Sequence, residues 1–170
     1  KVLVCGTPCQ MAALRAYLKK EHENLIIVDF VCRGIQTPKV HQKFDEQLEK
    51  EIGSKIVWQK AKNKELGWRL MSAKYLFENG QSRFFPAPIN PVSKGYLITN
   101  AFCRPSCYEC KFKGFPRISD ITLADFWGIE KIDKSLDDNL GTSMIMINSQ
   151  KGKKYFEKIK PKIKFIPTSL

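Results

Sequence analysis

The sequence has no long uninterrupted apolar run, and its 17 acidic residues are outnumbered by 29 lysines and arginines. A membrane-spanning helix needs roughly 20 consecutive apolar residues, so we expect no membrane span in these 170 residues. Internal repeats and low-complexity tracts are also absent, which excludes repeat arrays. With 43% hydrophobic and 11% aromatic residues, the chain can bury a core, so it is not a disordered tail.

The beginning of the chain bears on compartment and completeness. Lys1 is followed directly by VLVCG, which is typical of a core strand and not of a signal peptide. From this start we expect a piece of a longer protein. Six cysteines without a secretion signal indicate a reducing compartment, and we expect a cytoplasmic protein. There, clustered cysteines more often bind metals or act in catalysis than form disulfides.

The net charge of +12 comes mostly from lysine. Such an excess attracts nucleic acid, an anionic cofactor or an acidic partner. The charge is dispersed, however, except in residues 151–164, KGKKYFEKIKPKIK. We expect this segment to be an amphipathic helix with Tyr155, Phe156 and Ile159 inward and its lysines solvated.

The first third of the sequence predicts a strand–helix–strand–helix unit. KVLVCG is a short strand, and Thr7 and Pro8 then begin a helix as N-cap and first-turn residues. Residues 24–32 form a second apolar run, and a second helix begins at Thr37 and ends at Gly53. This order implies a parallel, right-handed crossover. The predicted fold is therefore α/β with a Rossmann-like start.

The remaining sequence extends this start into a mixed sheet with a β-hairpin and a cysteine-bearing loop. Asn79–Gly80 is the hairpin turn, because this dipeptide favours tight two-residue turns. We expect a single α/β domain over residues 1–170. Further strands are predicted at 55–63, on both sides of the hairpin turn, and at 120–128, 143–149 and 163–170, with a proline-rich connection at 86–95 and a short helix at 96–102.

Four cysteines are candidate metal ligands. Cys107 and Cys110 form a C-x2-C pair, which lets one short turn present two sulfurs to one metal centre. Cys9 lies in the first turn of the first helix, where the helix dipole favours a thiolate. Cys32 ends the second strand, so neighbouring strand ends would bring Cys9 and Cys32 together. The spacing alone leaves zinc and a [4Fe–4S] cluster equally open.

The two other cysteines have weaker cases. Cys5 lies inside the first strand, and we expect it to be a small core residue. Cys103 lies just before the C-x2-C pair and is an additional candidate ligand.

Several stretches together resemble one family. They are VLVCGTPCQMAALRAYL, LIIVDFVCRGIQTPKV, KELGWR, RPSCYECKFKGFPRISDITLADFWGI and GTSMIMINSQKGKKYF. The fourth is the most specific, with R-P-S-C-Y-x-C followed by S-D-I-T-x-x-D-F-W-G. In this order the stretches resemble the carboxyl-terminal domain of the coenzyme F420 hydrogenase/dehydrogenase beta-subunit family, over nearly the whole chain.

The resemblance implies an oxidoreductase that depends on FAD and a [4Fe–4S] cluster. Its electrons pass between a small-molecule hydride carrier, of the deazaflavin or nicotinamide type, the flavin and the cluster. The family's cysteine pattern falls on Cys9, Cys32, Cys107 and Cys110. The implied partner is a redox protein or an amino-terminal ferredoxin-like domain; the runs C-x2-C-x2-C-x3-C-P of such a domain do not occur here.

The resemblance also suggests where the cofactors bind. The helix start after the first strand would suit the FAD pyrophosphate, and Gly6 would allow close backbone approach. Cationic Arg104, Lys111 and Lys113 would offset the anionic cluster. We expect Asp120 and Asp125 each to cap backbone amides in a loop; the alternative is that Asp125, Trp127 and Gly128 line the flavin site, with Trp127 near the ring. The full set of expected cofactor-binding residues is Gly6, Thr7, Pro8, Gln10, Gly34, Lys113, Asp125, Trp127 and Gly128; no catalytic residue is assigned.

Two other interpretations remain. One is a zinc-stapled basic module that binds nucleic acid or a protein partner, with Tyr108, Phe112 and Phe115 between the lysines. No recognisable nucleic-acid-reading motif occurs, so nucleic acid is not the partner that we expect. The other is a piece that folds but is inactive without its partner domain.

Overall fold

The computed structural model describes residues 1–168, which form two compact units. Unit 1 comprises Lys1–Arg33, Cys110–Gly128 and the chain from Thr142 on, and unit 2 comprises Gly34–Glu109 and Ile129–Gly141. Unit 1 holds a four-stranded sheet and unit 2 a three-stranded sheet. Within the described residues, no helix has both the length and the apolar character to cross a membrane.

The elements confirm the predicted α/β class. The strands are β1 (Val2–Gly6), β2 (Leu25–Phe30), β3 (Ile56–Asn63), β4 (Ser72–Phe77), β5 (Ser82–Pro86), β6 (Ile121–Asp125) and β7 (Ser143–Ile147). The helices are α1 (Pro8–Leu18), α2 (Pro38–Ile52), α3 (Pro91–Leu97), α4 (Pro105–Tyr108) and α5 (Gln150–Ile159). Short 3₁₀ turns occur at Ile129–Lys131, Lys134–Leu136 and Lys160–Lys162.

The sheet of unit 1 has the order β1-β2-β6-β7. The pairs β1–β2 and β2–β6 are parallel, and β7 runs antiparallel to β6. Ile26, Val28 and Ile121 form a buried cluster on one face, against which Tyr155 of α5 packs. The predicted parallel crossover is therefore present, and β6 pairs with β2 as the next parallel strand of the sheet.

The sheet of unit 2 is the antiparallel meander β3-β4-β5. Its hairpin turns at Asn79–Gly80, as the sequence predicts, and Gly80 has φ +81°. Helix α2 lays Leu48 on this sheet, in one buried cluster with Ala73, Tyr75 and Phe77. Such a cluster is the apolar core that each unit needs to be stable.

Two local expectations are wrong. The helix expected at 96–102 begins earlier, at Pro91, because Asn90 Oδ1 accepts hydrogen bonds from the amides of Val92 and Ser93. The last strand does not form over residues 163–168; Phe165 instead packs its ring on Phe156, with ring centroids 5.7 Å apart. Residues 169–170 of that expected strand lie outside the described residues.

Two side chains are more exposed than expected. Cys5 is exposed and is no core residue, because β1 is the outermost strand of its sheet and has a neighbour on one side only. Ile159 at the end of α5 is 45% exposed, although it was expected to face inward. At the last residue of the helix it lies beyond the apolar cluster that Tyr155 contacts.

Tyr75 makes the stability of unit 2 sensitive to alkaline pH. Burial, with the nearby Asp45 carboxylate as a lesser cause, raises the pKa of Tyr75 to about 12. An unfolded chain loses this proton near pH 10. The preference of the folded state for protonated Tyr75 therefore contributes fully to the free energy of unfolding below about pH 10, and this contribution is lost as pH rises through about 12. We expect a loss of roughly 2–3 kcal/mol of unfolding free energy over that interval. Urea unfolding of Tyr75→Phe at several pH values should lack this loss, whereas Tyr17→Phe, which alters an exposed tyrosine, should retain it.

Candidate functional site

Three neighbouring strands of unit 1 end at one edge of its sheet. Because β1, β2 and β6 are adjacent and parallel, their carboxyl ends share that edge. In open α/β sheets this is where ligands bind. Residues 7–10 follow β1, Cys32 follows β2, and residues 126–128 follow β6. Most of the residues expected from the sequence to bind cofactors therefore lie at this edge.

Cys9 and Cys32 hold equivalent places beyond their strands. Gly6 of β1 pairs in register with Asp29 of β2, and each cysteine is three residues further along the chain. Cys9 is exposed in the first turn of α1, and Cys32 is half-buried. Strand β2 ends at Phe30, so Cys32 lies in the following loop and not at the strand end itself.

The turn that carries Cys9 is held by its own side chains. The amide of Thr7 donates to Gln10 Oε1 at 2.9 Å, and Thr7 Oγ1 lies 3.2 Å from Cys9 Sγ. A Cβ on Gly6 would lie 2.9 Å from both Gln10 Oε1 and Met11 Cε. Packing against Gln10 and Met11 therefore favours glycine at position 6, in addition to the expected role of Gly6 beside a cofactor.

Two cysteines of unit 2 lie against Gly34. This glycine has φ +138°, and a Cβ there would be 3.2 Å from Cys103 Sγ and 3.3 Å from Cys107 Cβ. The segment after Gly34 pairs with the one around Cys103, since the Arg104 amide donates to the Ile35 carbonyl at 2.9 Å. Cys103 is buried and Cys107 half-buried. A side chain at position 34 would therefore have to displace Cys103 Sγ or Cys107 Cβ slightly, in addition to adopting a backbone conformation that favours glycine.

Cys110 begins the loop that leads to β6. It is half-buried, and residues 111–116 after it are exposed, including the expected cations Lys111 and Lys113. Arg117 closes the loop, with Nη1 donating to the Lys113 carbonyl at 3.3 Å. The loop thus bends back on its last residue.

A buried ion pair that sequence reasoning missed lies beside this loop. Arg117 Nη2 donates to Asp29 Oδ2 at 2.8 Å, and the two side chains are 3% and 0% exposed. Thr122 Oγ1 donates to the other carboxylate oxygen of Asp29. The available signal was a carboxylate within the apolar run LIIVDF, since a charge in such a run requires a buried partner.

The aspartates at the two ends of β6 differ. Asp120 is 1% exposed, and its carboxylate accepts hydrogen bonds from the Ile27 amide and the Ser149 hydroxyl at 2.9 and 2.6 Å. It joins β2 to the start of α5 and so has a structural role. Asp125, at the carboxyl end, is exposed, and Trp127 is 60% exposed. The exposed indole offers a flat surface at the edge where the parallel strands end.

Residues 1–168 match the family described as the C terminus of the beta subunit of coenzyme F420 hydrogenase/dehydrogenase. The chain belongs to this family. The match extends over the whole described part of the chain and includes every motif that suggested the resemblance. No match to a curated protein is found.

One solved structure shares the fold of this beta-subunit domain. It is the xenon-derivatized F420-reducing [NiFe] hydrogenase complex from Methanosarcina barkeri, and the similarity is to one of its chains, with 19% sequence identity and a TM-score of 0.51. The alignment covers 95% of this chain and 49% of that chain. The present chain therefore spans about half the length of its structural relative.

The donor set fits the cluster that the family resemblance implies. The six cysteines, all within the described residues, form no disulfide, and a [4Fe–4S] cluster takes four thiolates. Within residues 1–168, however, no three His, Cys, Asp or Glu side chains are close enough together to hold a metal ion. The structure brings Cys107 to Gly34 in unit 2 and places Cys9 and Cys32 beyond neighbouring strands of unit 1. The residues therefore fit a [4Fe–4S] cluster in the chemistry of their side chains, because the chain supplies enough cysteine thiols.

Proposed function

We propose that this chain is the carboxyl-terminal domain of a flavin- and iron–sulfur-dependent oxidoreductase subunit. Cys9, Cys32, Cys107 and Cys110 are the ligands of a [4Fe–4S] cluster, and FAD binds beside them. Electrons pass between a small-molecule hydride carrier, the flavin and the cluster. The observation that carries this proposal is the common edge at which β1, β2 and β6 end.

The edge supports the proposal because it combines different kinds of binding group. Two thiols follow β1 and β2, and an exposed indole follows β6. When bound, the flavin exchanges two electrons as a hydride and the cluster exchanges one at a time. A domain that joins these exchanges must hold both groups close together, which neighbouring loops at one edge of a sheet make possible.

The protein groups have separate roles in this proposal. The four thiolates bind iron, and the backbone amides of Cys9 and Gln10 donate hydrogen bonds that adjust the potential of the cluster. Exposed Arg104, Lys111 and Lys113 offset its negative charge. These cations flank the C-x2-C pair in sequence, so each lies within three residues of a proposed ligand.

The flavin site uses the other loops of the edge. The amino terminus of α1 offers positive dipole charge to a pyrophosphate, with Thr7 and Gln10 fixing the turn. Trp127, whose indole is exposed, would hold the flavin by stacking, as indoles do with planar groups. Gly128, with φ +88°, lets the chain turn away directly after that indole.

A protein redox partner completes the electron path. The structural relative is a chain of a hydrogenase complex, which supports a partner subunit or a ferredoxin-like domain here. The net charge of +12 favours an acidic partner surface.

The test is the cofactor content of protein prepared without oxygen. We expect about four irons per chain, bound FAD, a brown colour and bleaching by dithionite. Cys9→Ser and Cys110→Ser should each lose at least half of the iron, because each removes one of four thiolate ligands. Iron analysis, flavin absorbance and visible spectroscopy provide the measurements.

The matched control is Cys5→Ser, since this exposed cysteine is outside the proposed ligand set and should leave the iron content unchanged. Stoichiometric zinc without iron would refute the cluster and favour a zinc-stapled binding module. Salt-sensitive binding of generic DNA or RNA would then identify that module as a nucleic-acid binder. Iron without FAD would overturn only the flavin part of the proposal.

A further inference from the structure

We propose that the buried Asp29–Arg117 pair is a positioning device for the metal ligands. It holds the loop that begins with Cys110 against β2, the strand that leads to Cys32. This inference rests on the proposed function, because it assigns the pair to the cluster site. Both residues and both cysteines belong to unit 1.

The pair is buried and its hydrogen bonds form a continuous network. Asp29 receives Arg117 Nη2 at 2.8 Å on one carboxylate oxygen and Thr122 Oγ1 on the other. Arg117 Nε also donates to Thr122 Oγ1, at 3.3 Å. Asn148 Nδ2 donates to the same hydroxyl at 2.9 Å. Both carboxylate oxygens therefore have a partner, which is the condition under which a buried charge is tolerated.

The guanidinium has one further contact, and it reaches the loop. Nη1 donates to the Lys113 carbonyl at 3.3 Å. Residues 111–116 are exposed, so buried packing does little to fix their course. Arg117 thus connects the middle of the loop to the carboxylate of Asp29 in β2, and Lys113 is only three residues after Cys110.

The position of Asp29 makes this link relevant to Cys32. Asp29 is the next-to-last residue of β2 and Cys32 is three residues beyond it. A residue rigidly held in the sheet therefore fixes both the start of the Cys32 loop and, through Arg117, the Cys110 loop. A buried ion pair contributes little net stability compared with apolar side chains of the same size, whereas its directional contacts define one geometry.

The variant Arg117→Lys distinguishes the positioning of the loop after Cys110 from the stability of the protein. A lysine retains the charge facing Asp29, but its single nitrogen does not span the carboxylate and the Lys113 carbonyl together. In the metal-free chain, we expect faster hydrogen–deuterium exchange in residues 111–116 and unchanged exchange in β6. In protein prepared without oxygen, we expect a chelator to remove iron about tenfold faster than from the wild type, as is typical when a group supporting a ligand is lost.

Asp120→Asn is the matched control. Asp120 is as deeply buried as Asp29 and is bonded to Ile27 and Ser149, away from the loop. Its variant should lower the melting temperature without changing exchange in residues 111–116 or the rate of iron loss. Asp29→Asn should reproduce both effects of Arg117→Lys and add a loss of stability.

The outcomes distinguish the two proposals. Wild-type protein without iron would refute the cluster, and exchange in residues 111–116 would then still decide whether Arg117 positions the loop. Iron that leaves Arg117→Lys at the wild-type rate would refute the positioning role while leaving the cluster intact. Equal effects in Asp120→Asn would show that general destabilisation is the cause.

Discussion

Replacing Gly152 with alanine is expected to lower the melting temperature by roughly 6–12 °C. A Cβ at this position in α5 would lie 2.2 Å from the carbonyl oxygen of Asp120 and 2.9 Å from its carbonyl carbon. Both are backbone atoms, and the same oxygen accepts the Asn148 amide at 3.0 Å, so neither can move without disturbing the sheet. Overpacking of this kind costs about 3 kcal/mol or more, which corresponds to the stated shift for a chain of this size.

The higher helix propensity of alanine opposes this destabilisation, but its effect is smaller. Alanine is favoured over glycine within a helix by about 1 kcal/mol, so the clash decides the sign. Gly114→Ala is the control, because its Cβ would meet no atom within 4 Å and its φ lies outside the left-handed region. Thermal unfolding followed by circular dichroism measures both variants. A Gly152→Ala protein as stable as Gly114→Ala would contradict the packing of α5 on the start of β6.

Replacing Gly34 with alanine is expected to remove more than half of the bound iron. The residue has φ +138°, and its Cβ would press on Cys103 Sγ and Cys107 Cβ at 3.2 and 3.3 Å. The backbone conformation alone costs about 1–3 kcal/mol for a residue with a side chain. Because Cys107 is one of the proposed ligands, its displacement should reduce cluster binding in addition to stability. Iron per chain and the melting temperature are measured together.

Gly53→Ala is the matched control for this variant. Gly53 ends α2 with φ +69°, and a Cβ there would meet no atom within 4 Å. It therefore introduces backbone strain without touching a cysteine. We expect Gly53→Ala to lower the melting temperature and to keep its iron. If Gly34→Ala keeps as much iron as Gly53→Ala, Cys107 is not held by the contact with Gly34.

The order of the elements could be predicted because each is defined by local chemistry. Thr7 and Pro8 mark the start of α1, Gly53 marks the end of α2, and Asn79–Gly80 marks the hairpin turn. The sequence predicted a last strand over residues 163–170, of which 163–168 are described and form no strand, because a strand needs a neighbour to bond with. The sequence has no local signal for that neighbour, and Phe165 packs on Phe156 instead.

The candidate site could be predicted only in part. The strand order places Cys9 and Cys32 beyond neighbouring strands, as the sequence predicts. The assignment of Cys107 and Cys110 to one metal centre stays a prediction from their spacing. No local pattern indicates that β6 lies beside β2, since their paired residues Val28 and Ile121 are far apart in the chain. For the same reason the Asp29–Arg117 pair was missed, because its partners meet only after this pairing has formed.

The discontinuous course of unit 1 has a consequence during synthesis on the ribosome. Strands β1 and β2 are made first, but β6 and β7, which complete their sheet, follow only after the whole of β3, β4 and β5. Unit 2 pairs strands that are close in sequence, so its sheet can form while the chain is still growing. Cys9 and Cys32 thus leave the ribosome well before Cys107 and Cys110. Insertion of the proposed cluster would therefore have to wait until Cys107 and Cys110 have also left the ribosome.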